Sequence, residues 1–202
     1  MARRSDHSRE ELYTMALGAA GEIVEAEGRA GLTARKVAGA IGYTPGTLYN
    51  LFRNLDEMIL HLNGHTMDQL GAELERGVMT GDAIADVETL LCAYLGFLEA
   101  HRGLWDLLFE FSRSGDGAPP DWYRVKVDRL LARLEAALAP LFGAGRMAER
   151  AQAARVLWAS LHGICSLAAS GKLSVVSENT AGEMARSLTR HYLAGLGAAD
   201  LK

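Results

Sequence analysis

Apolar residues recur three and four apart along almost the whole chain, and β-branched alternation never lasts beyond a few residues. That spacing predicts helices and no strands. Leu12, Ala16, Ala19 and Ile23 form a first stripe ended by Glu27-Gly28, where glycine suits a helix C-terminus. Thr33 is a good N-cap for a short helix with Val37 and Ile41 on its inner face, closed by Gly42. Thr44-Pro45 then reads as cap and first-turn proline of another short helix, holding Leu48 and Phe52. Asn54 caps a long helix with Ile59, Leu62, Thr66, Leu70 and Leu74 in register until Thr80-Gly81. Five further spans fall near 84–101, 103–113, 120–142, 147–171 and 178–195, with Gly103 either separating two helices or kinking one. Gly115-Asp-Gly-Ala-Pro-Pro120 is the clearest loop. The expected class is all-α, with about nine helices.

The stretch from Thr33 to Phe52 is the most informative. Two helices of about two turns across a glycine-bearing turn, completed by residues 9–27, make a three-helix helix-turn-helix unit. The second helix of such a unit enters the major groove of DNA. Its outward positions, Thr44, Pro45, Gly46, Thr47 and Asn50, carry nothing large and apolar. Threonine hydroxyls and free helix amides meet phosphate, and the Asn50 amide suits a base edge. Val37, Ile41, Leu48 and Phe52 are expected to pack on Leu12–Ile23, because helices this short do not persist alone.

Composition refines this picture. The chain has 202 residues, 49% hydrophobic and 23% charged, which fits one globular domain or two small ones. The longest apolar run, Leu90 to Leu98, is half of a bilayer crossing, so no membrane span is expected. The basic start at Arg3-Arg4 has no apolar core behind it, so no signal peptide is expected either. The simplest location is the cytoplasm. A net charge of −4 argues against nucleic-acid binding. Its distribution argues the other way: residues 28–55 carry Arg29, Arg35, Lys36 and Arg53 and no acid. Twenty-two glycines, several inside predicted helices, suggest close helix contacts.

The run from Gly31 through Thr33, Val37-Ala38, Gly42, Gly46-Thr47-Leu48-Tyr49, Phe52 and Asp56-Glu57-Met58 to Ile59 resembles the DNA-binding signature of the tetracycline-repressor (TetR/AcrR) family of bacterial regulators. The resemblance implies that Thr33, Thr44 and Tyr49 contact phosphates. It also implies that Pro45, Gly46, Thr47 and Asn50 face the groove, with Tyr43 at the turn either touching the DNA or packing. Many members carry lysines where Pro45 and Leu55 stand here, so either DNA binding is expected to weaken or phosphate contact is expected to shift to Arg35, Lys36, Arg53 and the Arg3-Arg4 arm. A DNA-binding domain over 1–54 and a helical effector-binding and dimerisation domain over 55–202 follow.

In the second domain, Trp158-Ala-Ser-Leu-His162-Gly163 resembles a Trp-His-Gly subtype of the family's C-terminal domain. Trp158, Leu161, His162 and Cys165 share one helical face. Trp158 and His162, with Tyr94, Phe97, Trp105, Phe109 and Trp122, are candidates to line a pocket for a small, largely apolar effector, or else plain core. Ala151, Ala154, Ala159, Ala168, Ala181, Met184, Ala185, Leu188 and Tyr192 suit close packing of the last two helices, which in this family form a homodimer interface. The resulting expectation is a dimeric repressor released from a near-palindromic double-stranded DNA operator by its effector. The alternative is a constitutive DNA-binding protein controlled by a partner protein or by thiol oxidation at Cys92 or Cys165. Both thiols sit in apolar stretches that favour inertness. No catalytic residue, metal ligand set or cofactor motif is expected: His-Glu-x-x-His, Gly-x-Ser-x-Gly, phosphate-binding glycine loops and paired cysteines are all missing.

Overall fold

The computed structural model describes residues 7–110, 118–143 and 145–199, without the side chains of 109, 110, 198 and 199. Helices dominate, and no strand occurs among the described residues. The chain divides into two compact units, Met1–Thr66 with His101–Ala118, and Met67–Ala100 with Pro119–Lys202.

The first unit opens with α1 (Arg9–Gly31). Its start is set by a capping box absent from the sequence-based outline. Ser8 Oγ accepts from Glu11 N at 3.2 Å, and Glu11 Oε2 accepts from Ser8 N at 2.6 Å. Gly28 breaks the helix as expected, at φ 68°, before a last turn to Gly31. Leu12, Ala16 and Ala19 are buried, but the innermost residue of the next turn is Val24, with Ile23 half-buried beside it. Short α2 (Ala34–Ala40) is capped by the Thr33 hydroxyl, which accepts from Lys36 N at 3.2 Å. It ends in a Schellman motif: Tyr43 N donates to Ala38 O at 2.8 Å and Gly42 N to Gly39 O at 3.2 Å, with Gly42 at φ 76°.

Helix α3 (Pro45–Tyr49) has only five residues, shorter than the two turns expected. Pro45 stands in the first turn, but the Thr44 hydroxyl makes no capping bond to the backbone. Phe52 lies beyond the helix and is still 2% exposed, in a core with Val24, Leu32, Val37, Leu48 and Leu62. Asn54 caps α4 (Leu55–Arg76) by accepting from Glu57 N at 2.8 Å. That helix ends four residues earlier than its apolar register suggested.

Helix α6 (Arg102–Glu110) closes this unit by lying directly on α1. A Cβ on Gly103 would stand 2.4 Å from the Val24 carbonyl oxygen and 2.9 Å from Glu25 Cα. The Glu25 carboxylate caps the incoming helix, accepting from Gly103 N at 3.0 Å and lying 3.3 Å from His101 Nδ1.

In the second unit the remainder of α4 is joined by α5 (Ala83–Ala100), α7 (Asp121–Leu138), α8 (Met147–Ala169), α9 (Leu173–Val176) and α10 (Ala181–Ala199). The turn before α5 is pinned by buried Asp86, which accepts from Thr80 N at 2.6 Å, Thr80 Oγ1 at 2.8 Å and Gly81 N at 3.0 Å. Those bonds hold its carboxyl below the usual range. Asp82 caps the helix through Ile84 N and Ala85 N, both at 2.9 Å. Pro140 cannot donate, and α7 gives way to a single 3₁₀ turn over Ala139–Leu141. Helix α8 packs on α7 and α10, and Tyr192 OH donates to Ala153 O at 3.1 Å.

The Gly103 contact is backbone against backbone, so it has no flexible group to give way. Gly103→Ala is expected to cost roughly 1–3 kcal/mol through overpacking. Gly18→Ala, where nothing lies within 4 Å of the added carbon, is expected to stabilise by about 0.5–1 kcal/mol. Urea unfolding of the two variants checks both signs.

Candidate functional site

The turn between α2 and α3 leads into a small polar surface. Thr33, Thr44, Pro45, Gly46, Tyr49 and Asn50 are exposed, and Thr47 and Tyr43 are half-buried. Thr44 Oγ1 and Thr47 Oγ1 lie 3.2 Å apart, and the Tyr43 hydroxyl is 2.8 Å from His7 Nδ1. Asn50 is the C-cap residue of α3. Tyr49, 54% exposed, is the more exposed of the two rings on this surface.

The cations around it differ from their appearance in the chain. The stretch 28–55 lacks acids, yet folding brings acids to three of its four basic residues. Lys36 pairs with Glu27 of α1. Arg53 Nε pairs with Glu57 Oε1 at 3.0 Å, and the same carboxylate accepts from Arg53 N, which holds it below its usual range. Arg29 lies 3.9 Å from Asp56. These are surface pairs, each worth about 0–1 kcal/mol, so a phosphate can take the place of the acid. Arg35 is exposed and makes no ion pair among the described residues. Arg3 and Arg4 lie outside the described residues. Where family members carry lysine, Pro45 forms the first turn of α3, and Leu55 is half-buried against the core of this unit.

A second feature lies within the other unit. Leu70 and Leu74 of α4, Val87, Leu90, Leu91 and Tyr94 of α5, Leu130, Arg133 and Leu134 of α7, and Trp158 and Leu161 of α8 surround an apolar chamber of about 50 Å³. Of the aromatic candidates, Tyr94 and Trp158 line it. His162 stands behind them, stacked on Trp158 at 5.4 Å with the rings 13° apart, and 3.2 Å from the Tyr94 hydroxyl. Burial raises the Tyr94 phenol well above its ordinary value and pushes the His162 imidazole down to about 4. The phenol is therefore protonated and the ring neutral, so the hydrogen bond joins two uncharged groups. Phe97 is buried in the same unit without lining the chamber, and Trp122 packs against Tyr123. Trp105 is buried in the first unit, on α6. The side chain of Phe109 lies outside the described residues.

The cysteines split. Cys165 is fully buried and its thiol is pushed up to about 11, whereas Cys92 is exposed, contrary to the inert setting expected of both. Arg133 went unnoticed in the sequence. Its signal was a guanidinium one residue before Leu134 and three after Leu130, inside an apolar stripe. Among the described residues no group of three or more potential ligands is placed to hold a metal, and no helix is long and apolar enough to cross a membrane.

Residues 87–192, just over half of the chain, match the family model for the tetracyclin repressor-like C-terminal domain. The chain belongs to the tetracycline-repressor family. No curated protein matches the sequence. Solved structures with the same fold span nearly the whole molecule. A protein of unknown function from Rhodococcus sp. RHA1 superposes with a TM-score of 0.74 at 23% identity, covering 96% of this chain and 99% of its own. A TetR transcriptional regulator from the same source gives 0.70 at 17%, covering 94% and 97%. A TetR transcriptional regulator from Streptomyces coelicolor gives 0.66 at 18%, covering 95% and 98%. The tetracycline-repressor fold thus accounts for both units.

The depressed His162 value has a consequence for folding. The folded protein keeps this imidazole neutral down to about pH 4, while the unfolded chain protonates it near 6.5. Its contribution to stability is complete above 6.5 and is lost as pH falls toward 4. The stability difference between wild type and His162→Asn, followed by urea unfolding across pH, should therefore shrink through that window.

Proposed function

We propose that this tetracycline-repressor family member is a dimeric repressor that leaves its DNA operator when a small ligand occupies the chamber of its second unit. The observation that carries the DNA-binding part is the exposed polar surface of α3 and its flanks, held on a buried Val37–Leu48–Phe52 anchor. On this reading residues 1–54 read DNA and 55–202 bind the effector and the second subunit. Thr33, Thr44 and Tyr49 contact phosphates, as do Arg35, Lys36 and Arg53, the last two exchanging Glu27 and Glu57 for the backbone. Pro45, Gly46, Thr47 and Asn50 face the major groove, and the Asn50 amide reads a base edge. Tyr43 stiffens the turn through His7.

Dimerisation through α8 and α10 is supported by the outer face of α8. Val156, Ala159, Gly163 and Leu167 follow one another at helical spacing and are all exposed. A two-fold interface there presents two α3 segments to successive turns of a near-palindromic operator.

The chamber supports gating because it is small. At about 50 Å³ it is well below the roughly 300–1,000 Å³ of ordinary ligand sites, so an effector must displace leucine side chains to enter. A ligand that prefers the opened state shifts the population of the DNA-binding state by its differential affinity, typically 1–3 kcal/mol.

Fluorescence anisotropy with duplexes from DNA flanking the protein's own gene, in a salt series, tests the assignment. Arg35→Ala should weaken binding to every duplex alike and lower the salt slope by about one. Asn50→Ala should cost about 1–3 kcal/mol on the preferred duplex and narrow its margin over the others. Unchanged affinity and slope in both variants would remove α2 and α3 from the interface.

A further inference from the structure

The apolar chamber has a polar neighbour. A cavity of about 190 Å³ between α4 and α7 is bordered by Asp68, Glu75, Lys126, Arg129 and Arg133. Leu74, Leu130 and Arg133 line both spaces, so Arg133 stands where they adjoin.

The charges around the polar cavity are unequally satisfied. Lys126 Nζ lies 2.6 Å from Asp68 Oδ1, so these two neutralise each other. Arg129 is exposed and unpaired among the described residues. Among the described residues Arg133 is held only by long bonds from Nη2 to the carbonyl oxygens of Glu75 and Gly77, both 3.4 Å. Its Nε is buried and meets no acceptor, and no carboxylate among the described residues pairs with the guanidinium. A buried donor on a permanent cation is costly to leave unmet, and the guanidinium edge matches a carboxylate in two parallel bonds.

We infer that the effector is an amphipathic carboxylate, such as a medium-chain fatty acid or an aryl-alkanoic acid. Its head group occupies the polar cavity on Arg133, and its tail enters the leucine-lined chamber against Trp158 and Tyr94. The assignment rests on the effector-gated reading above and gives that site its ligand class. A carboxylate suits the site better than a phosphate dianion, because the half-buried Arg133 offers one positive charge and Lys126 is already engaged by Asp68.

The test uses the whole protein and three probes of equal tail length: octanoate, octanol and octylamine. Binding is followed by calorimetry, with tryptophan emission as a second readout because Trp158 lines the chamber. Octanoate should bind saturably and at least about tenfold more tightly than the other two. Arg133→Met should bring octanoate down to the level of octanol and leave octanol unchanged. Equal binding of all three probes to the wild type, stronger binding of the alcohol or the amine, or no saturable binding of octanoate would each overturn the proposal. So would octanoate affinity that Arg133→Met leaves intact in a folded variant. The wild-type comparison needs no substitution and decides the matter even if Arg133→Met does not fold. Repeating the titration with DNA present separates the two readings. Octanoate that binds through Arg133 without releasing DNA upholds the ligand class and defeats the gating. Release by octanol from a protein that ignores octanoate upholds the gating and defeats the ligand class.

Discussion

The surface proposed to face DNA depends on one packing arrangement. Helices of seven and five residues have no stability of their own in water, so α2 and α3 exist only because Val37, Leu48 and Phe52 are buried under them. Each of these side chains is at most 2% exposed, and burying one is worth about 1.5–3 kcal/mol. The Schellman turn at Gly42 fixes the angle between the two helices, and the Thr33 and Asn54 caps fix where the elements on either side begin. With the core side spoken for, the outward side is free to carry short polar residues and a single exposed ring.

The same unit is closed by α6, and here the constraint is absence of a side chain. Gly103 lets the helix backbone touch that of α1 at Val24, while Glu25 accepts the first free amide of the arriving helix. In the other unit polar groups are buried where apolar ones would pack more simply. The Tyr94–His162 bond lies beside the chamber, and the Arg133 guanidinium lies at its edge with a donor unmet. A buried polar group without a partner calls for an explanation, and the carboxylate ligand proposed above supplies one for Arg133.

Local signals were legible in the sequence, and non-local ones were not. Gly28, Thr33, Gly42 and Asn54 punctuate the chain where the spacing placed them, because a cap or a left-handed glycine acts within four residues of itself. The apolar stripes gave the inner faces with small errors, Val24 rather than Ile23 in α1 and an early end to α4 at Arg76. The charge pattern misled for a physical reason. Glu27, Asp56 and Glu57 lie just outside the acid-free stretch, and the fold returns them to Lys36, Arg29 and Arg53. Trp105 and Trp158 look alike as bulky aromatic residues. Only the course of α6 onto α1 separates a core ring from one that lines the chamber. Arg133 stood out least, since an arginine beside an amphipathic stripe is ordinarily solvated.

The most direct measurement of the central claim is selection of DNA by the purified protein from a random-sequence duplex pool. A dimeric reader built on α3 should enrich one near-palindromic sequence with half-sites about one helical turn, 34–36 Å, apart. A selected pool indistinguishable from the input would contradict sequence reading by this surface.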